Sequence, residues 1–262
     1  MGNNNFNSFD PVNPRIMTHL VAGYPDDSRA MAAAKALLDS GTAFLEIQFP
    51  FSDPSADGPV IQTACSQALA RGFKLDKGFL FLKDLRKINE STPIFLMTYG
   101  SLAYNRGMET FCKTAKDAGV SGLIIPDLQP GGDAGLYSAA AKIGITVIPV
   151  IAPSISDSRL ESFKNLKLDY IYTALRTGIT GKETELGKEN YKYIEKVRKL
   201  GAKVLAGFGI RRYSQIKALA GCVHAAIVGS HITSALAGLA DKNEETVYSE
   251  IQRVYLELAG KG

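Results

Sequence analysis

Short apolar runs recur along the chain, each followed by a stretch with helical periodicity, and this alternation restricts the fold more than any other feature. The runs fall at residues 16–21, 45–49, 93–98, 122–125, 146–150, 170–172, 204–206 and 225–228. Most are continuous rather than alternating in polarity, the pattern of strands covered on both faces. Helical patterns occupy 28–40, 60–70, 77–89, 108–118, 137–143, 156–165, 190–200, 213–219 and the C-terminal residues. Eight strands alternating with helices predict an α/β chain whose parallel sheet closes into a (β/α)8 TIM barrel. An open doubly wound sheet is the rival, but the first strand-to-helix turn reads Gly23-Tyr24-Pro25 where a dinucleotide fold needs GxGxxG. No linker, charge block or low-complexity tract divides the 262 residues. A single barrel domain over 1–262 is therefore expected, with an extra N-terminal segment and an insertion after the second strand, where a helical pattern breaks at Gly72 and a second begins.

Composition narrows the class of partner. The formal net charge of +4 is spread along the chain, which argues against a nucleic-acid surface. Cys65, Cys112 and Cys222 are distant from one another and form no CxxC, so neither a disulfide framework nor a metal site is expected and a reducing cytoplasm fits. The first residues are polar, and no apolar run approaches the roughly 20 residues that span a bilayer. No membrane association is expected.

The chemistry of such a barrel sits at the C-terminal ends of its strands. The richest of these is Leu45-Glu46-Ile47-Gln48-Phe49-Pro50-Phe51-Ser52-Asp53-Pro54-Ser55-Ala56-Asp57-Gly58-Pro59. Strand periodicity puts Leu45, Ile47 and Phe49 on one face and Phe44, Glu46 and Gln48 on the other. The apolar face belongs under the helices, so Glu46 points into the barrel, where a partly desolvated carboxyl can give and take protons at neutral pH. Asp57 lies in a loop stiffened by Pro50, Pro54 and Pro59 and supplies a second carboxylate held apart from the first. Asp53, ahead of a proline, reads as a turn or capping residue. The later strands deliver Asp127, Tyr172 and Arg176. The turns Gly207-Phe208-Gly209 and Gly229-Ser230, after the seventh and eighth strands, have the composition of a phosphate site. His19, His224 and His231 show no ligand spacing and read as satisfied core or pocket residues. Lys203 begins a strand, on the wrong face for Schiff-base chemistry, and no GxSxG motif is present.

With these residues in place, the chain resembles the tryptophan synthase alpha chain family over nearly its whole length. The resemblance rests on the 45–62 segment and on Ala22-Gly23-Tyr24-Pro25, Met97-Thr98-Tyr99, Ile125-Pro126-Asp127-Leu128, Thr177-Gly178-Ile179-Thr180-Gly181, Gly207-Phe208-Gly209-Ile210 and Gly229-Ser230. It implies a lyase that cleaves indole-3-glycerol phosphate to indole and glyceraldehyde 3-phosphate without a cofactor, paired with a beta chain in an alpha2beta2 assembly. By the same resemblance, Glu46 and Asp57 are the catalytic pair, and Tyr172 and Thr180 meet the substrate. Gly181, Gly209, Gly229 and Ser230 hold its phosphate, and Asp53, Ser101 and Asn105 face the beta chain. Several positions depart from the family pattern: Gln48, Ser55, Gly100-Ser101, Leu175, Arg211 and His231. Gln48 and His231 are expected to narrow or repolarise the pocket, Gln48 as a substrate contact. These departures keep open a second reading, a weakly or non-catalytic phosphate-binding barrel that mainly activates its beta-chain partner.

Overall fold

The computed structural model describes residues 15–175 and 186–262. Nine strands, β1 (Arg15–Val21), β2 (Phe44–Gln48), β3 (Ile94–Met97), β4 (Gly122–Ile124), β5 (Thr146–Val147), β6 (Val150–Ile151), β7 (Tyr170–Ala174), β8 (Lys203–Gly207) and β9 (Ala225–Val228), form one parallel sheet in the order β5-β4-β3-β2-β1-β9-β8-β7-β6. β5 and β6 are halves of the fifth expected strand. Pro149 has no N–H to place in a ladder and splits them. β5 pairs with β4 and β6 with β7. Between them Ile148 N–H donates to Leu123 O at 2.8 Å, and Pro149 O accepts from Tyr172 N–H at 3.0 Å. The two ends of the sheet are thus one stretch of chain, and the segments close into the expected eight-stranded barrel.

Around it, among the described residues, run α1 (Asp27–Asp39), α2 (Pro59–Ala70), α3 (Leu75–Ile88), α4 (Gly100–Arg106), α5 (Met108–Asp117), α6 (Leu136–Ile143), α7 (Asp157–Ser162), α8 (Lys188–Arg198), α9 (Tyr213–Ala218), α10 (Ser230–Ala237) and α11 (Glu244–Leu258). The first shows why such segments are helical. Asp26 caps α1 by accepting from Arg29 N–H at 2.9 Å, Ala30, Ala33, Ala34 and Leu37 form its buried stripe, and Gly41 leaves it at φ +90°. Between β2 and β3 two helices follow one another. α3 lies beside α1 in the outer ring, whereas α2 packs on α10 and β1. The short α4 was not expected, because its sequence carries no apolar stripe. It exists because both carboxylate oxygens of Asp127 accept from Gly100 N–H, at 2.9 and 3.0 Å, at its first turn. None of the described helices is long and apolar enough to cross a membrane. The expected N-terminal segment, residues 1–14, lies outside the described residues.

Strand periodicity sorts the apolar residues into two layers. Leu45, Ile47 and Phe49 pack with the helices, while Phe44 joins Met17, Phe95, Ile148 and Leu205 inside the barrel. Phe44 stacks on Phe95 with centroids 5.3 Å apart and meets the edge of Tyr170 at 5.8 Å. Burial of each such ring stabilises the fold by roughly 1.5–3 kcal/mol. This aromatic plug fills the N-terminal half of the barrel. The inward side chains two residues further along each strand therefore border the remaining space.

Candidate active site at the barrel mouth

That space is a cavity at the C-terminal end, enclosing about 580 Å³ with its open mouth included. Met97, Ile124, Val150 and Ile227 give it apolar walls from four strands, and Phe208 adds an aromatic one. The polar groups come from β1 (His19), β2 (Glu46), the loop after β2 (Asp57), β7 (Tyr172) and the turns after β8 and β9 (Gly209, Gly229, Ser230). An apolar cavity edged by two carboxylates, with glycine turns in the same lining, suits an apolar ring carrying an anionic tail.

Glu46 is 2 % exposed, and its Oε2 has no hydrogen-bond partner among the described residues. Its one close polar contact is His19, whose Nδ1 lies 3.5 Å from Oε2. The expectation that His19 is satisfied is corrected here. It lines the cavity, and its buried Nε2 has no hydrogen-bond partner among the described residues. No motif marked it; only the β1–β2 register, which sets His19 directly beside Glu46, brings the two together.

Asp57 is held from behind. Its Oδ2 accepts from Gln48 Nε2 at 2.7 Å and from Tyr99 Oη at 2.9 Å, leaving Oδ1 for the cavity. Its loop is fastened by Asp57 N–H to Pro54 O at 3.0 Å and by Gln62 Nε2 to Asp57 O at 2.9 Å. Burial pushes the Asp57 carboxyl above its ordinary pKa. The nearby His19 and the bonds from Gln48 and Tyr99 pull the other way without cancelling it, and Glu46 adds to the rise. Gln48 is therefore placed differently from expectation. It is fully buried behind Asp57, outside the cavity lining, and orients the carboxylate rather than meeting a ligand. Tyr172 does line the cavity, with a phenol pKa driven well up by burial and by Glu46 and Asp57, so it remains a donor at neutral pH.

The two glycine turns border the same cavity. Phe208 and Gly209 both sit at φ +82°, a conformation that costs a bulky residue energy and turns the chain back sharply. Gly207 admits no side chain, since a Cβ there would stand 2.9 Å from that of Ile227. What secures this turn was not legible as a motif: buried Gln215 accepts from Arg211 N–H at 2.8 Å and Arg212 N–H at 3.0 Å, and donates to Gly209 O at 3.1 Å. Gln215→Ala is expected to cost roughly 1–3 kcal/mol by stranding those backbone groups. It should also raise KM for a phosphorylated substrate more than it lowers kcat. Denaturant unfolding and steady-state kinetics check both. After β9, Gly229 and Ser230 open α10, whose first N–H groups and dipole favour an anion.

The remaining expected residues fall elsewhere. Asp53 is exposed and accepts from Ser52 Oγ at 2.7 Å; it does not cap α2, which starts after Gly58 with Pro59 in its first turn. Ser101 and Asn105 are exposed on α4, with Tyr104, 69 % exposed, between them. Asp127 serves α4 as described. His224 is a satisfied core residue at the opposite end, its Nε2 3.1 Å from Arg15 and its ring against Phe44. His231 and Leu175 do not line the cavity, and Lys203 stands at the start of β8 with its ammonium 5.2 Å from the Tyr170 ring. Arg176, Gly178, Thr180 and Gly181 lie outside the described residues. Among the described residues no group of histidine, cysteine and carboxylate side chains could hold a metal ion.

Comparison with known proteins gives one answer. The family model described as tryptophan synthase alpha chain matches residues 9–259. The tryptophan synthase alpha chain of Helicobacter hepaticus is 38 % identical over 237 residues, 88 % of this chain and 89 % of that one. That of Caulobacter vibrioides is 35 % identical over 230 residues, 87 % and 84 % of the two chains. Among solved structures, Mycobacterium tuberculosis tryptophan synthase superposes with a TM-score of 0.85 at 26 % identity, covering 96 % of this chain and 93 % of that one. The tryptophan synthase complex of Pyrococcus furiosus gives 0.84 at 29 % identity, covering 97 % and 100 %.

Proposed function

The chain belongs to the tryptophan synthase alpha chain family, and from that premise we propose that its barrel cleaves indole-3-glycerol phosphate to indole and glyceraldehyde 3-phosphate. The observation that carries the assignment is the buried pair, Glu46 and Asp57, bordering one apolar slot that also contains the Gly209 and Gly229–Ser230 turns. The indole ring fits the slot and the phosphate fits the turns. Asp57 Oδ1 receives the ring N–H, while Gln48 and Tyr99 keep Oδ2 turned away.

Cleavage requires that the ring become an electron acceptor. Glu46 protonates carbon 3 as the ring nitrogen yields its proton toward Asp57, producing a C=N bond. The carbon–carbon bond then breaks, its electron pair restoring the ring double bond, while the adjacent hydroxyl loses its proton to Glu46 and becomes the aldehyde carbonyl. The nitrogen regains its proton, and both carboxyl groups end as they began. Tyr172, protonated and bordering the same space, is a donor to the glycerol oxygens.

Thr180 as a closing-loop contact and Gly181 as a phosphate ligand belong to this proposal on resemblance alone. So does a barrel forming a single domain over the whole chain. A beta chain is the partner in an alpha2beta2 assembly, as in the a2b2 complex of the Pyrococcus furiosus relative. The exposure of Asp53 and, on α4, of Ser101, Tyr104 and Asn105 supports that docking. A cytoplasmic setting is supported by the free state of Cys65, Cys112 and Cys222. The reading as a non-catalytic barrel is weakened, because Gln48 and His231 are not among the residues that line the cavity.

The test is direct. Purified protein incubated with indole-3-glycerol phosphate releases indole and glyceraldehyde 3-phosphate in equal amounts, faster when a cognate beta chain is added. Absence of indole with and without the partner would refute the assignment.

A further inference from the structure

We propose that His19 is the proton-holding partner of Glu46, its Nδ1 standing 3.5 Å from Glu46 Oε2, and that the two side chains together carry the proton which the cleavage borrows and returns. The proposal rests on the reaction assigned above. Its ground is geometric. β1 and β2 set the two residues side by side in register, and both are sealed, at 4 % and 2 % exposure. Neither Nε2 of His19 nor Oε2 of Glu46 has a hydrogen-bond partner among the described residues, so each is the other's close polar neighbour. The imidazole packs against Gly229, where a Cβ would stand 3.5 Å from His19 Cβ and Cγ.

Burial by itself favours neutral imidazole. The Glu46 carboxylate beside it and, further off, Asp57 outweigh that, so the His19 pKa lies above its ordinary value. The titratable groups facing it are Glu46 on β2, Asp57 in the following loop and Tyr172 on β7, whose phenol stays protonated. On α2, Cys65 lies behind Asp57 with its thiol pushed up to about 12, and it stays neutral. On α10, His231 answers to burial, Arg211 and Glu257 instead. α1 covers the outer face of β1, away from the ring.

The proton balance is closed. In the resting pair the proton sits on Nδ1 beside the Glu46 carboxylate; it passes to Glu46 and from Glu46 to carbon 3, leaving imidazole neutral and Glu46 a carboxylate again. When the carbon–carbon bond breaks, the hydroxyl proton passes to Glu46 and returns to Nδ1. The pair thus titrates as a unit, and His19 acts through Glu46 as a positioning residue.

Two measurements decide this. NMR titration of the His19 ring should give a pKa above the ordinary value of about 6.5 in the wild-type protein and below it in Glu46→Gln, where burial acts alone. In kinetics, wild-type kcat should fall on the alkaline side as the pair loses its proton. In His19→Phe that limb should move to lower pH by about one unit or more, with kcat at neutral pH lower by at least roughly tenfold and KM nearly unchanged. His19→Asn, which can still hydrogen-bond Glu46 but has no titratable proton to transfer, should behave as His19→Phe does. A His19 that titrates at or below the ordinary value in the wild type, or identically in both proteins, overturns the proposal. So does a His19→Phe enzyme that loses rate without movement of the limb. A wild type that releases no indole refutes the assigned reaction, and the NMR titration still decides the pair.

Discussion

Glu46→Gln is expected to lower kcat for indole release by roughly 10²–10⁴-fold while the barrel stays folded. The amide matches the carboxylate in shape and fills the same buried site on β2, so no cavity opens. It cannot give a proton to carbon 3 or take one from the hydroxyl, and both transfers fail together. Substrate binding should survive, because the apolar walls and the glycine turns are untouched, so KM should change little. The fold should register the change only through pH. His19 has a raised pKa in the native protein, so its contribution to stability is fully present below the ordinary imidazole pKa and is lost as pH rises through the raised value. Glu46→Gln leaves burial to hold the His19 pKa below its ordinary value, so the slope reverses and stability is lost as pH falls; denaturant unfolding across the imidazole range, about pH 5 to pH 8, will reveal it. An enzyme that retains full activity would sink the assigned role.

Asp57→Asn should separate activity from stability. The carboxyl pKa is raised chiefly by burial, so the ionised form is the one the fold disfavours. A group of this kind contributes stability below its unfolded pKa and loses it as pH rises through the folded value. At neutral pH the carboxylate is therefore a cost, and asparagine removes it. The amide oxygen can still accept from Gln48 Nε2 and Tyr99 Oη, which keeps the loop in place. Its NH2 then faces the indole N–H, donor against donor, and no negative charge meets the ring nitrogen. Activity should fall by roughly 10²–10³-fold, with KM raised, while the thermal midpoint holds or rises. A midpoint lowered by several degrees would mean that the charge itself supports the fold. Near-normal turnover would mean that Asp57 is not the nitrogen anchor.

Much of the architecture was legible in the apolar runs, because a strand covered on both faces has little choice but to be continuous and apolar. The exceptions have local causes. The fifth strand appears as one run because Pro149 is as apolar as its neighbours; only its missing N–H divides β5 from β6. α4 left no stripe to find, since its start depends on a carboxylate from the turn after β4. Glu46 and Asp57 could be picked out because strand parity and a proline-bound loop are properties of neighbouring residues. Gln48 shared that parity with Glu46, yet at the strand's end it turned behind Asp57, toward Cys65 of α2.

By itself the sequence determined the order of strands and helices, the inward face of β2, the two carboxylates and the glycine turns, for each depends on residues a few positions apart. Only the tertiary structure decided that Gln48 and Tyr99 aim Asp57, that Gln215 fastens the turn after β8, and that His19 stands against Glu46. Those contacts join residues 9, 42, 6 and 27 positions apart. All but the Gln215 contact rest on packing and strand register, and periodicity along one chain carries no record of which residue a neighbouring strand sets beside it.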